Sequence, residues 1–242
     1  MSGFFRFFLL LIIWLLTRIL FRFRIEWITL PDKDPWSNLR LIAFLHHTSL
    51  MEFLFLGALP IKQIWRIANH VVVPVADKTL SRPIVGFFIK QMGPRVVSIT
   101  RKMDETWDLF LKYLGPEDII LVFPEGRMMR KTGLDKDGKP MSVRGGIADI
   151  LRRIDDGDML IAYSGGLHHV QTPGSLGIHL FKTLSIRFEI INIADYKNLN
   201  AGHNQAAFKL KVASDLEKRM YTHCPIPTPP PRPRRSESQA KS

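Results

Sequence analysis

A chain of 242 residues, 46% hydrophobic and 23% charged, is long enough to bury a full core and has the composition of a folded protein. Its one cysteine, Cys224, excludes an intramolecular disulfide and fits a reducing compartment. The 34 basic against 22 acidic residues leave a formal charge of +12, which draws polyanions: nucleic acid, anionic lipid head groups or phosphorylated substrates.

The N-terminus narrows that choice. FFLLLIIWLL (7–16) is an unbroken apolar run flanked by Arg6 and by TRILFRFR. Ten helical residues rise about 15 Å, half of a hydrocarbon core about 30 Å thick. Residues 4–23 span it only if Arg6, Arg18 and Arg22 snorkel outward, so an interfacial helix and a full span both stay open. A secretory signal is disfavoured, because basic residues are heaviest after the run and no small-residue cleavage site follows. Arg18, Arg22 and Arg24 against Arg6 alone put the bulk of the chain on the cytoplasmic side. The expected location is therefore the cytoplasmic face of a membrane, with a bacterial inner membrane in view.

Beyond this segment, apolar runs of strand length alternate with helical patterns. Strands are predicted at 39–45, 70–76, 95–99, 118–123, 158–164 and 184–193, and helices at 49–58, 83–92, 103–114, 143–154 and 202–221. Short continuous apolar strands alternating with helices imply an α/β fold: a mostly parallel central sheet flanked by helices, preceded by an N-terminal membrane-anchoring helix. Pro74 within a strand marks an edge or a bulge. The tail from Pro225, PIPTPPPRPRRSESQAKS, is too rich in proline and charge to join a core. The expected division is an anchoring helix over 1–26, an α/β domain over 27–224 and a disordered tail over 225–242.

Chemistry concentrates at the predicted strand ends. In FLHHTSLMEFLF (44–55), His47 ends a strand and Glu52 follows five residues later. One reading is structural: Ser49 and Glu52 form a capping box at a helix start. The other is catalytic. A histidine in the turn before a helix sits at the carboxyl edge of the sheet, where open α/β folds place ligands. A first-turn carboxylate can fix its tautomer and favour its protonated form during turnover. In LVFPEGRMMRKTG (121–133), a strand stops at a proline, and Glu125-Gly126 opens a loop carrying Arg127, Arg130 and Lys131. Glycine lets backbone approach a ligand closely, and arginine grips phosphate through paired hydrogen bonds. A third strand end carries Arg101. His47, Arg101 and Glu125 thus converge on one edge of one sheet.

These residues resemble, in order and spacing, the glycerolipid acyltransferase family of the lysophosphatidic acid (1-acylglycerol-3-phosphate) acyltransferase type. That family has His-(x)4-Asp first and Phe-Pro-Glu-Gly-Thr-Arg third, with a second motif running from Lys through Pro and Gly to a terminal Arg. Here HTSLME stands first, then Lys78, Pro83, Gly86, Gly93 and Arg101, then FPEGR, then SVRGGIADIL where the family has a basic residue, glycine and a helix. Glu52 replaces the family's aspartate, His46 an asparagine, and Arg127 follows Gly126 with no intervening threonine. Met128 and Met129 stand where arginine and serine are usual, and LIAYSGGLHH shows no clear fourth motif.

The resemblance implies that His47 is the general base, oriented by Glu52. Arg101 and Arg127 hold the acceptor's phosphate, helped by Arg130 or Arg144, while Glu125 and Gly126 shape that pocket. It implies acyl-CoA or acyl-carrier protein as co-substrate with no further cofactor and no metal. The expected partners are a lysophospholipid acceptor and membrane lipid, with no nucleic acid and no stable protein partner. GFFI (86–89) either lines an acyl groove or packs a helix on the sheet. Two rivals come with it. One is a metal-dependent hydrolase using His46, His47, His168 and His169 with Glu52 or Glu125. The other is a catalytically degenerate, lipid-binding membrane module.

Overall fold

The run LRLIAFL becomes strand β2 (Leu39–Leu45), whose alternate residues enter opposite cores: Leu41, Ala43 and Leu45 on one face, Ile42 and Phe44 on the other. Burial on both faces is the condition of a central strand in a covered parallel sheet. The computed structural model, which describes residues 3–81, 86, 89–90, 94–100, 105–171 and 177–225, builds such a sheet from seven strands. The others are β1 (Arg22–Trp27), β3 (Val71–Ala76), β4 (Arg95–Ile99), β5 (Ile119–Val122), β6 (Asp158–Ser164) and β7 (Thr183–Asn192). Their spatial order is β1-β7-β6-β2-β5-β3-β4. Strands β2 to β6 run parallel; β7 is antiparallel to β6, and β1 is parallel to β7. The amino ends of β1 and β7 therefore lie at the same edge as the carboxyl ends of the other five.

Helices cover both faces, as expected from sequence. On one side lie α4 (Glu105–Lys112), α5 (Gly146–Arg153), α6 (Ile193–Leu199) and α7 (Gln205–His223). Helix α7 buries Phe208, Val212, Leu216 and Met220, an i, i+4 stripe set by the helical period, and Asn204 caps its start by accepting the Ala207 amide at 2.8 Å. On the other side lie α1 (Gly3–Leu20), a 3-10 helix η1 (Glu52–Ala58) and α2 (Ile61–His70); a single turn, α3 (Asp77–Leu80), follows β3.

Helix α1 is long and apolar enough to cross a membrane by length and composition. It is also tied to the domain. Arg6 Nε donates to the Ala68 carbonyl at 2.8 Å, Trp14 Nε1 to Leu59 at 2.9 Å and Arg18 Nε to Gly57 at 2.9 Å. Leu10 is buried beneath it, while Phe5, Phe8, Ile12, Leu15 and Ile19 face outward. Of the three arginines that a full span would require to snorkel, Arg6 and Arg18 instead meet backbone carbonyls of the domain, while Arg22 is exposed.

Several elements differ from expectation. Strand β1 follows directly on α1, and its apolar residues continue the N-terminal run, which hides the change of period. Helices α2 and α6 were not among the predicted elements. The helix predicted over 49–58 is a 3-10 helix that starts at Glu52, because Glu52 Oε1 accepts the Thr48 and Ser49 amides at 2.8 Å each and holds that segment as a turn. Of the helix predicted over 83–92, Gly86, Ile89 and Lys90 are described and helical; the rest lies outside the described residues. Pro74 behaves as an edge residue. Strand β5 pairs with β3 only at Val71 and Val72, so from Val73 on the ladder runs to β4 alone and the missing N–H costs nothing toward β5.

Candidate functional site

Where β3 and β5 part, a cavity of about 470 Å³ opens through the sheet. Its walls are mainly apolar and come from both faces: Phe44, Phe55 and Val73 from one core, Trp107, Val122 and Ile150 from the other. At the carboxyl edge the lining turns polar, with His47, Glu52, Thr100, Arg127 and Arg144. That volume is typical of small-molecule sites.

His47 reaches this position because the chain turns sharply at the end of β2. His46 has φ 67°, a left-handed conformation uncommon for a non-glycine residue. Three contacts hold it there. His46 Nδ1 lies 2.8 Å from the Ser164 carbonyl, which requires the proton on that nitrogen. Gly166, at φ 78°, leaves the space beside the ring: a Cβ there would stand 2.9 Å from His46 Cε1. Glu125 supplies the third. Its carboxylate is fully buried, with Oε1 accepting the His46 amide at 2.6 Å and Oε2 the His47 amide at 3.0 Å. One side chain from the end of β5 thus clamps two successive amides at the end of the neighbouring β2. Burial pushes the Glu125 carboxyl up to about 7, against the downward pull of His47 and of the two amides.

The loop after β5 completes the frame. Gly126 has φ 63° and lets the chain reverse with Arg144 packed close, Cδ being 3.3 Å from where a Cβ would stand. The Arg144 amide donates to Pro124 at 2.9 Å, and the Met129 amide donates to the His47 carbonyl at 2.7 Å. His168 Nε2 sits 2.8 Å from the Met129 carbonyl, so the loops after β2, β5 and β6 are linked to one another.

His47 Nδ1 lies 3.1 Å from Glu52 Oε1, within ion-pair distance but off line for a direct hydrogen bond. That oxygen already accepts two amides, while Glu52 Oε2 is buried without a hydrogen-bond partner. Burial alone lowers the pKa of His47; the charge of Glu52, with Glu125 behind, outweighs it and raises the net value above the ordinary 6.5. The structural and catalytic readings of Glu52 share one carboxylate. Among catalytic dyads such apo geometry commonly tightens when substrate binds.

Of the residues singled out from sequence, His47, Glu52, Gly126 and Arg127 line one cavity, and Arg144 joins them. Glu125 lies immediately behind and does not line it. Arg101 lies outside the described residues; Ile99 and Thr100, which precede it, line the cavity. Two supporting residues escaped sequence reading. Asp135 forms an ion pair with Arg127 and accepts the Asp137 and Lys139 amides at 2.9 and 2.8 Å. DKDG reads as a turn, yet nothing in it reveals a partner eight positions back. Met129, buried in the loop over His47, is the other.

A histidine–carboxylate pair, a basic rim and an apolar hollow thus share the carboxyl edge of the parallel strands. Residues 29–164, more than half of the chain, match the Acyltransferase family, and the chain belongs to that family. Its fold is shared with the 1-acyl-sn-glycerophosphate (LPA) acyltransferase PlsC from Thermotoga maritima: TM-score 0.50 and 17% identity over 88% of this chain and 79% of that one. No curated protein sequence matches the chain significantly.

Proposed function

We propose that this acyltransferase moves a fatty acyl group from a thioester, acyl-CoA or acyl-carrier protein, to the free hydroxyl of a lysophospholipid such as 1-acylglycerol-3-phosphate. The observation that carries the proposal is the placement of the His47–Glu52 pair, 3.1 Å apart, at the polar mouth of the apolar cavity. The Glu52 carboxylate favours the proton on Nδ1, leaving Nε2 as the base. Nε2 takes the acceptor's hydroxyl proton as the oxygen attacks the thioester carbonyl carbon. The C–S bond then breaks, and the imidazolium returns its proton to the departing thiolate. A positioned base of this kind contributes a factor of about 100 to 10,000. Arg127 is held rigid by Asp135 and, with Arg144, suits the acceptor's phosphate.

The outward apolar face of α1 supports a membrane-associated enzyme, with the helix lying along the surface of the domain. Moving a sixteen-carbon chain from lipid into water costs on the order of 10 kcal/mol, so a site beside the bilayer removes that barrier. The hydrolase reading has weaker support. His46, His168 and His169 each set a ring nitrogen against a backbone carbonyl, and among the described residues no three His, Cys, Asp or Glu side chains converge as metal ligands.

Membranes carrying the protein, supplied with radiolabelled acyl-CoA or acyl-carrier protein and a panel of lyso-lipids, test the proposal. Label in a diacyl phospholipid is expected. Release of free fatty acid with no acylated lipid would instead point to hydrolysis.

A further inference from the structure

We infer that residues 178–182, leading into β7, are a second membrane-contact element, which with α1 turns the His47 edge of the sheet toward an anionic bilayer. The inference rests on the membrane-associated reading of α1 and adds to it a contact that α1 alone does not supply.

Ile178, Leu180 and Phe181 are 46%, 43% and 66% exposed, three large apolar side chains within four residues. Single exposed apolar residues are ordinary on a soluble surface; a cluster that continues a larger apolar face is not. These side chains are not loosely displayed. The His179 amide donates to Val170 at 2.8 Å, and the Phe181 amide donates to the Leu20 carbonyl at 2.7 Å. Phe181 has φ 59°, a conformation rare for a bulky residue, so the backbone that holds its ring outward is itself restrained. The bond to Leu20 seats the cluster against the last turn of α1, where Leu16 and Ile19 are 48% and 60% exposed. Two apolar elements far apart in sequence are thus brought side by side.

Cations border the two elements. Lys182 and Arg22 are exposed and adjacent, the Arg22 amide donating to the Lys182 carbonyl at 3.0 Å, and Arg24 lies two residues on. Apolar residues beside Lys and Arg suit the acyl and head-group layers of an anionic leaflet. The same charges disfavour a second copy as occupant, since two chains of +12 would bring these cations together.

Topology gives the contact its orientation. Strands β1 and β7 both begin at the edge where β2, β5 and β6 end, so the cluster stands at the edge that carries His47. His169, in the loop after β6, places Nε2 2.8 Å from the Thr183 carbonyl and ties the cluster to that edge. The outward apolar face of α1 sets the roll of the domain about the helix axis. A second insertion beyond the helix end fixes the tilt of that axis and keeps the His47 edge at the surface.

The test uses full-length protein with an environment-sensitive fluorophore on one introduced cysteine, native Cys224 being 3% exposed and shielded from labelling. The sites are Phe181→Cys, Ile12→Cys on α1 and Leu199→Cys, the last being 72% exposed on α6. The proteins are reconstituted into vesicles of phosphatidylcholine and phosphatidylglycerol and quenched by doxyl-labelled acyl chains or by aqueous iodide. The 181 label is expected to behave like the 12 label: quenched by doxyl lipid, with iodide quenching several-fold below that at 199. If 12 is shielded while 181 stays open to iodide, the inference fails and the reading of α1 stands. If both stay open, the membrane reading fails and takes the inference with it. Shielding of 181 from iodide without doxyl quenching means contact between copies and also overturns it.

Discussion

His47 works against its surroundings. Burial favours the neutral ring, and the Glu52 carboxylate beside Nδ1 favours the charged one strongly enough to win. A general base acts when neutral, so kcat/KM, which reports groups of the free enzyme, is expected to rise with pH through an acid limb whose midpoint lies above 6.5. In Glu52→Gln the largest upward influence is gone while burial stays. The limb is expected to move to lower pH, with kcat reduced; a pH–rate profile that keeps its midpoint would leave Glu52 a structural cap only. Arg127 and Asp135 act as one unit. Arg127→Ala is expected to raise the acceptor's KM about ten- to a hundredfold, as one charged contact is worth about 1.5–3 kcal/mol. Asp135→Ala should shift the same parameter in the same direction. The double variant is expected to be little worse than Arg127→Ala alone, and fully multiplicative effects would show that the two residues act separately. Glu125→Gln sets an amide NH2 against one of two backbone N–H groups, 78 and 79 positions away in sequence. It is expected to cost about 1–3 kcal/mol in a denaturation curve and to lower kcat through His47's position.

At the scale of elements, what the sequence shows depends on where apolar runs stop. Strands β2, β4 and β6 match their predicted bounds to the residue, since polar or turn-forming residues close each run. Strand β1 does not announce itself, because RFRIEW follows an apolar helix without a break. Strand ends also brought His47, Glu52, Gly126 and Arg127 to one hollow, because parallel neighbours share a carboxyl edge. What stayed hidden is side chain to backbone: no periodicity signals that Glu125 clamps the amides before and at His47. The divergence of β3 from β5, which makes the cavity, is equally silent apart from Pro74. Helix α7 shows the opposite case, a stripe readable from spacing alone. Leu216→Ala, at a fully buried position in that stripe, is expected to cost about 2–5 kcal/mol in urea denaturation. Activity per folded molecule should be unchanged; a selective loss of activity would show that α7 helps to position the site.

For the whole molecule, charge, anchor and cavity point the same way. The +12 surplus favours anionic lipid surfaces, α1 offers an apolar face, and the cavity mouth carries Arg127, Arg144 and His47. The family match assigns the class of chemistry, and the geometry proposes which residue performs it. The most direct measurement is acyl transfer to lysophospholipid by membranes bearing equal amounts of wild-type and His47→Ala protein. The expected result is a fall in kcat of about 100- to 10,000-fold, with the acceptor's KM little changed. Turnover by His47→Ala at the wild-type rate would contradict the assignment of His47 as the base.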